Sequence, residues 1–534
     1  MLNEWIKILK SELFNIMKNS IKPREQFRVQ SRFSSQFLLS SKETPAPSGW
    51  SSWVVKGLHL IAHPDLTVQQ VSKEGIELTL LGDIIDPQFP AKGNRQILED
   101  LVASVSNTTT IFNAAENMSG RWVLIFQSGS EALLFNDVGG LRQVYYQHLA
   151  SGWWIGSQPG ILQELGGRNL STTSLSTDYF NSGKGEGKSQ ESTVFRLLPN
   201  HVLDLNTGDT RRFWPHEPLG DIPLESAARD CAALLRQQVI AAASRWNLAC
   251  TLTSGFDSRT LLGATKDIRE KVVFYTTKHR ELRVTDRDIV IPGKLASQLG
   301  LDFHVIEEPN VIDPEFKDQY FRNVGYFLEA GGGISRCYTA YAMYLDPIGS
   351  RVTINGTVSE LGKAHFYSGK SNIKYPKGEI TAKYLTGLNV WWGDRNKVDI
   401  ESLEQWLEAA REVEKNYKIK ILDLFYWEHY LGRLLATNIL EWDIVSDRFA
   451  PYGNRQMIKT ILSVDSRYRS HPDYELSRLI SKELWPEILS QPINPLDFRQ
   501  TMKIRVISII TRTGTRGFVN RMLNIYNRFR YGSV

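Results

Sequence analysis

Six consecutive residues between an apolar segment and a helix pattern have the types that bind anions: Thr253-Ser254-Gly255-Phe256-Asp257-Ser258. Small side chains let the backbone approach a ligand, and the first N–H groups of the following helix point toward it. Thr253, Ser254 and Ser258 add hydroxyl groups, and Asp257 could hold a magnesium ion that neutralises the same anion. The combination suits a pyrophosphate group, although it lacks the Gly-Lys-Ser/Thr of a Walker A loop. A strand followed by an ordinary capped helix has the same residue types, so the loop alone leaves both interpretations open.

The segments around this loop alternate between helices and short apolar strands. The pattern predicts helices over Ala227–Ala243, from Ser258 and over Asp288–Leu299, and strands over Leu248–Leu252, Val272–Thr276 and Phe303–Ile306. Such a βαβαβ order is typical of a parallel sheet with helices on both faces. The part from Ile400 to Leu489 is predicted to be mainly helical.

The sequence from about Gly49 to Trp214 has a different character, with short strand-like segments separated by turn residues. The predicted strands are Ile76–Leu81, Trp122–Gln127, Ala132–Phe135, Val144–Tyr146 and Trp153–Ile155. Three glycines within residues 181–188 predict an exposed loop. Three prolines and a glycine cluster in Pro215–Pro223, and we expect the boundary between two domains there.

The overall composition excludes several classes of protein. The 534 residues are enough for two or three domains. The 63 Lys and Arg residues against 58 Asp and Glu leave a net charge of +5, which gives no general nucleic-acid signal. No apolar run approaches the roughly 20 residues that a bilayer-spanning helix needs. The three cysteines, Cys231, Cys250 and Cys337, lack metal-ligand spacing, and so few favour a reducing, cytoplasmic compartment.

Basic residues are concentrated at the two ends of the chain. Residues 1–32 have a net charge of +4, and residues 503–534 have seven basic side chains and no acidic one, so the body between them is acidic. Apolar residues from Leu2 to Met17 recur at helical spacing with lysines between them. We expect a basic amphipathic extension at 1–48 and a basic tail at 496–534, which could lie on an anionic membrane surface, contact a partner protein or pack on the body.

The motifs, in their order along the chain, resemble those of the asparagine synthetases. That family has Ser-Gly-Gly-x-Asp-Ser where this chain has Thr253 to Ser258. Ile354 to Glu360 resembles the family's second nucleotide motif, Ser-Gly-x-Gly-x-Asp-Glu. Further matches are Leu81 to Asp86, Ser119 to Trp122, Asn136 to Tyr146, Leu198 to His201, Asp288 to His304 and Asp443 to Asn454. The resemblance covers roughly Leu78 to Pro495.

The resemblance implies an α/β protein of two domains. Residues 49–216 would form an αββα sandwich of the Ntn-hydrolase type, with two antiparallel sheets between helices. Residues 223–495 would form a parallel-sheet α/β domain of the PP-loop ATP pyrophosphatase (HUP-like) type, with a largely helical C-terminal part.

The resemblance also implies the site. The residues that would bind ATP are Leu252, Thr253, Ser254, Gly255, Asp257, Ser258, Thr276, Asn355 and Gly356. Asp257 and Glu360 would hold magnesium, and these two residues together with Glu329 would be catalytic. A substrate carboxylate would attack ATP to give an acyl-adenylate and pyrophosphate, and an amine would then form an amide.

Four departures from the family pattern bear on activity. The glutaminase of the family uses an N-terminal cysteine, whereas Leu2 follows Met1 here and residues 1–230 contain no cysteine. Leu361 stands where a second carboxylate is expected, and Glu329 is followed by Ala330-Gly331-Gly332 instead of a second acid. The stretch Ser490–Pro495 lacks the lysine that offsets charge on the leaving pyrophosphate in the family.

The sequence therefore predicts an asparagine synthase-like, AMP-forming ligase without glutaminase activity of its own. Its partners would be a small-molecule carboxylate and ammonia or an amine, with no nucleic acid, in the cytoplasm or at the membrane periphery. A homodimer is left open. The alternative is a non-catalytic relative that acts as a scaffold or docks on a membrane or another protein.

Overall fold

The computed structural model describes residues 33–168, 194–324, 333–367, 378–388 and 400–495. The predicted N-terminal helix, the loop at 181–188, Glu329 and the tail at 496–534 lie outside the described residues. Within the described residues, no helix is both long enough and apolar enough to cross a membrane.

Two six-stranded antiparallel sheets form the first half of the chain. Their strands, β1 to β12, are Phe37–Ser40, Ser51–Val55, Leu58–Ala62, Val68–Lys73, Ile76–Ile85, Ser119–Ser128, Glu131–Asn136, Tyr145–Leu149, Gly152–Gly156, Phe195–Arg196, His201–Asp204 and Thr210–Arg212. The strand order is β10-β8-β9-β1-β3-β2 in the first sheet and β12-β11-β7-β6-β5-β4 in the second. All pairs in both sheets are antiparallel, as expected for short strands joined by turns.

The two sheets pack face to face between helices. Successive side chains of a strand point to opposite faces, so β6 contributes to two cores: Val123 and Ile125 lie in the core between the sheets. Leu124 and Phe126 lie in the core beneath helices α1 (Asn94–Ser104) and α2 (Thr108–Ala115). Helix α3 (Pro159–Glu164) covers the outer face of the first sheet. This is the αββα sandwich of two antiparallel sheets that the resemblance implied.

The first strand lies earlier in the chain than the predicted domain boundary at residue 49. Strand β1 is central in its sheet, between β9 and β3. Phe37 and Leu39 are fully buried in the core between the sheets, and Leu38 is fully buried on the opposite face. Part of the predicted extension at 1–48 therefore belongs to the sandwich, because these apolar side chains complete both of its cores.

The second half of the chain contains a five-stranded parallel sheet. Strands β13 to β17 are Leu248–Thr251, Val272–Lys278, Phe303–Glu307, Val352–Ile354 and Arg448–Phe449, in the order β15-β14-β13-β16-β17. The order reverses at β13, which pairs with β14 on one side and β16 on the other. In open α/β sheets, ligands bind at such a switch point, outside the carboxyl ends of the strands.

Helices cover both faces of this sheet and form a largely helical C-terminal part. Helices α4 to α10 are Leu224–Arg245, Phe256–Ala264, Arg287–Leu299, Pro314–Val324, Gly333–Leu345, Ala382–Leu388 and Ile400–Tyr417. Next come α11 (Ile421–Phe425), a π-helix (Tyr426–Leu435), α12 (Ala436–Leu440), α13 (Arg455–Leu462), α14 (Ser466–Arg469) and α15 (Glu475–Leu484). Short 3₁₀ helices are Lys266–Lys271, Pro347–Ser350, Thr357–Lys363 and Pro486–Leu489. Leu248 and Cys250 face the core that contains α4 and α5, whereas Ala249 faces α7 and α8.

The two halves share buried polar contacts. The indole N–H of Trp427 in the π-helix donates to the carbonyl of Val138 at 2.6 Å. Arg212 at the end of β12 forms an ion pair with the buried carboxylate of Glu428, with Nη2 and Oε2 2.7 Å apart. Such contacts fix one half against the other, because separating the two halves would leave these buried polar groups without their hydrogen-bond partners.

Candidate active site at the switch point of the parallel sheet

The predicted anion-binding loop follows β13 and leads directly into α5. The backbone N–H of Leu252 still donates to the neighbouring strand, at 2.7 Å from Tyr275 O. Thr253 then leaves the sheet, and its N–H and hydroxyl both lie within hydrogen-bond distance of Ser258 Oγ, at 3.0 and 2.9 Å. Gly255 is the N-cap of α5. The first-turn N–H groups of a helix have no acceptor within it and favour negative charge.

A carboxylate from the next helix and a backbone segment near residue 494 hold this loop in place. Asp288 in the first turn of α6 accepts hydrogen bonds from the N–H and hydroxyl of Ser254, at 3.1 and 2.5 Å. Thr276 is buried near the end of β14, and its hydroxyl donates to the carbonyl of Asp288 at 3.2 Å. Asn494 N–H donates to the carbonyl of Ser254 at 3.0 Å. The loop is therefore held by two other parts of the chain, α6 and the segment near residue 494.

The second predicted motif follows β16 and meets the loop at the switch point. A Cβ atom on Gly356 would lie only 2.8 Å from Cβ of Asp257, so glycine is needed for this close approach. Asn355 Oδ1 accepts from Thr357 N–H at 3.0 Å. Asn355 Nδ2 is buried and has no hydrogen-bond partner in the described part of the protein. The free amide donor beside the loop suits a ligand with acceptor oxygens.

The carboxylates of Asp257 and Glu360 lie close together, as the sequence predicted, but both of them contact the side chain of a lysine, Lys363. The Lys363 ammonium forms ion pairs with Asp257 Oδ2 and with Glu360 Oε1, the latter at 2.9 Å. Ser359 Oγ donates to Asp257 Oδ1 at 2.6 Å. Burial lowers the pKa of Lys363, but the charges of Asp257 and Glu360 and their hydrogen bonds outweigh it, so the pKa lies above its ordinary value.

These residues do not fit the predicted magnesium site between Asp257 and Glu360. Lys363 is bonded to one oxygen of each carboxylate, and a metal ion could not share that position with an ammonium group. Leu361, at the position where the family has another carboxylate, is buried in the core of the second half. Among the described residues, no group of three or more His, Cys, Asp or Glu side chains could hold a metal ion.

Arg259 fastens the C-terminal end of the described chain over the loop. Its guanidinium donates to the carbonyls of Ile488, Gln491 and Pro492. Burial lowers the pKa of Arg259 to about 10, which leaves it charged at neutral pH. The segment from Ile488 to Asn494 therefore closes one side of the loop, although it brings no lysine there.

A second polar cluster lies at the carboxyl ends of β14 and β15. His279 Nδ1 is 2.8 Å from Glu308 Oε1, and the hydroxyl of Thr339 on α8 donates to the same oxygen at 2.5 Å. Burial raises the pKa of Glu308, but hydrogen bonds from Thr339, His279 and Arg280 outweigh it and give a lowered pKa. The cluster positions His279 on the same edge of the sheet as the loop.

The structure brings together eight of the nine predicted ATP-binding residues around the ends of β13, β14 and β16, and Leu252 supports them from the strand end. Glu329 lies outside the described residues, and its predicted catalytic role stays a prediction. Sequence reasoning missed Asp288, Asn494 and Lys363 as site residues. One local feature of the sequence could have indicated Lys363: it lies three residues after Glu360, so the two side chains lie on one face of a helical turn and can form an ion pair.

The first half contains no cysteine that could act in glutamine hydrolysis. Cys231, Cys250 and Cys337 lie on α4, β13 and α8 of the second half, and all three are buried. Burial raises the pKa of each thiol above its ordinary value, which disfavours the nucleophilic thiolate.

No protein-family model matches the chain, and no curated protein matches it. Among solved structures, it is similar to the glutamine phosphoribosylpyrophosphate (PRPP) amidotransferase from B. subtilis complexed with ADP and GMP, at 11% identity and a TM-score of 0.22. That match covers 64% of this chain and 74% of the other. A structure described as the allosteric regulatory enzyme of purine biosynthesis matches at 13% identity and a TM-score of 0.22, over 56% of this chain and 80% of the other.

Proposed function

We propose that the protein is an asparagine synthase-like, ATP-dependent ligase that adenylates a small-molecule carboxylate and forms an amide, without glutaminase activity of its own. ATP would bind at the switch point of the parallel sheet. The observation that carries the proposal is the meeting of two distant segments there: the loop 252–258 after β13 and the residues 355–360 after β16. Asp257 and Gly356 are in close approach, and the resemblance assigns both segments to one nucleotide site.

The chemistry follows from what these residues can bind. The phosphates would lie against the first turn of α5, where backbone N–H groups have no acceptor within the helix and favour negative charge. Asn355 Nδ2 offers a further donor. Donors fixed before the reaction stabilise the charge that develops on the leaving group without reorganising.

The reaction has two steps. An oxygen of the substrate carboxylate attacks the α-phosphorus of ATP, the bond from that phosphorus to the bridging oxygen breaks, and pyrophosphate leaves. The nitrogen of ammonia or an amine then attacks the acyl carbon, AMP leaves, the amide forms, and the proton of the amine passes to solvent or to a base. Since residues 1–230 contain no cysteine, the amine has to come from solution, from a partner or from the substrate itself.

Pyrophosphate release from ATP tests the proposal. One reaction contains L-aspartate and ammonium, and a second contains small molecules extracted from host cells. Release in either reaction, with AMP formed in equal amount, is the expected result. Aspartate-dependent release would identify an ammonia-using asparagine synthetase, and release with extract alone would indicate another carboxylate.

Two variants make this assay specific to the site. Asp257→Asn should abolish release, whereas Asp267→Asn, an exposed carboxylate near the other end of α5, should retain it. No release in either reaction, together with no thermal stabilisation by ATP, would contradict the proposal and favour the non-catalytic scaffold.

A further inference from the structure

We propose that the Lys363 ammonium is the resident cation of the Asp257–Glu360 carboxylate pair and keeps divalent metal ions out of it. The inference concerns the site of the proposed function and rests on that function for its significance. It replaces the magnesium ion that the two carboxylates predicted from sequence.

The geometry around Lys363 is that of a filled cation site. One ammonium group is bonded to both carboxylates, and the lysine side chain is 14% exposed. The second oxygen of Asp257 is already bonded to the hydroxyl of Ser359. A metal ion would have to displace the ammonium from both carboxylates. The displaced Lys363 charge would then lie in a largely covered position without an opposite charge beside it, which is unfavourable.

Electrostatics explains why this site needs some cation. Two adjacent carboxylates repel each other and any bound phosphate, and Lys363 reduces their summed charge from −2 to −1. The raised pKa of Lys363 has the same origin and keeps the side chain charged at neutral pH. Lys363 also brings a lysine to the loop from the segment after β16, while Ser490–Pro495 brings none.

The inference makes a direct prediction about metal binding, which Mn²⁺ alone can test. In the purified full-length protein without nucleotide, electron paramagnetic resonance measures free Mn²⁺ during a titration. The wild type should show no Mn²⁺ binding that depends on Asp257. Lys363→Met leaves two carboxylates without their cation and should gain one site, bound at least about tenfold more tightly than anything in the wild type.

Three further proteins complete the test. Lys363→Met combined with Asp257→Asn should lose the new site. Lys459→Met, which removes a similarly covered lysine from an ion pair with Glu217 elsewhere, should behave as the wild type. Asp257→Asn alone should bind Mn²⁺ as the wild type does.

Titrations of the wild type and Asp257→Asn can overturn the inference even if Lys363→Met does not fold. A wild-type Mn²⁺ site that Asp257→Asn removes would show that a metal displaces Lys363. No new site in a folded Lys363→Met protein would overturn it as well. Failure of the proposed function would look different: calorimetry would detect no ATP binding to the wild type, while the Mn²⁺ results remained as expected.

Discussion

The guanidinium of Arg121 donates two parallel hydrogen bonds to the carboxylate of Asp443, and one of them is 2.9 Å long between Nη2 and Oδ2. Arg121 lies on β6 of the sandwich, and Asp443 lies between α12 and β17 of the second half. Both side chains are almost fully buried. A sandwich without a glutaminase cysteine is thereby locked to the half that contains the loop.

Asp443→Asn should destabilise the whole protein. The substitution keeps the shape of the side chain but leaves the buried charges of Arg121 and Arg142 without this carboxylate, which typically costs about 3–5 kcal/mol. Urea unfolding at neutral pH would measure the loss. Asp100→Asn, which removes an exposed carboxylate paired with Lys92, is the control and should change the free energy of unfolding by less than about 1 kcal/mol. Equal effects of the two variants would contradict the buried pair.

Stability should fall as the pH is lowered, because His201 and Glu428 both have lowered pKa values. Burial lowers the pKa of His201 to about 4 from 6.5. Burial raises the pKa of Glu428, but Arg212, His201 and Trp406 outweigh it and bring the value to about 2 from 4.5. In both cases the unfolded chain takes up the proton first. The stabilisation is therefore complete at pH values above the pKa of the group in the unfolded chain, and it is lost as the pH falls toward the pKa of the group in the folded protein.

The corresponding measurement is urea unfolding between pH 7 and pH 4. The free energy of unfolding should decline between pH 6.5 and 4 through His201, and through the buried His429, whose pKa burial also lowers. His201→Asn should reduce the slope of the unfolding free energy against pH by the contribution of about one proton. An unaltered slope in His201→Asn would contradict the assignment.

Gly356→Ala should weaken ATP binding. The added methyl group would lie 2.8 Å from Cβ of Asp257 and would push the segment after β16 away from α5. Overpacking of this kind costs about 1–3 kcal/mol, which corresponds to roughly 5- to 150-fold weaker binding. Calorimetric titration with ATP would measure it, with Gly220→Ala as control, since a Cβ at Gly220 meets nothing within 4 Å. Unchanged binding in Gly356→Ala would place the nucleotide elsewhere.

Arg259→Met should release the C-terminal segment from the loop. Three carbonyls between Ile488 and Pro492 would lose their shared donor, and the hydrogen bond from Asn494 N–H to Ser254 O would open more often. Hydrogen–deuterium exchange of a peptide covering residues 488–495 should become faster in this variant. Exchange at β13 should stay slow. The exposed Arg467→Met is the control, and similar exchange in both variants would argue against the anchoring role.

Local sequence patterns were sufficient to predict the helices and strands around the loop. The helix predicted at Ala227–Ala243 is Leu224–Arg245, and the strand predicted at Val272–Thr276 is Val272–Lys278. Apolar spacing identifies such elements because a helix or strand must bury one face, whatever its partner is. The ends differ by a few residues, since the last turns depend on contacts from other segments.

The strand Phe37–Ser40 shows where local patterns were insufficient. Four residues carry too short a pattern to distinguish a strand from an extension, and the central position of β1 depends on pairing with β3 and β9. Only the folded sandwich decides that Phe37 and Leu39 close one core while Leu38 closes another.

The sequence by itself determined the kinds of residue in the candidate site, because Thr253 to Ser258 and Asn355 to Glu360 have the composition of anion-binding turns after strands. The tertiary structure alone decided what lies between their carboxylates. Asp257 and Lys363 are 106 positions apart, and only the pairing of β13 with β16 brings them together. Coulomb attraction then makes the nearest flexible cation the partner of both carboxylates, and no spacing rule along the chain identifies that cation as a lysine instead of a metal ion.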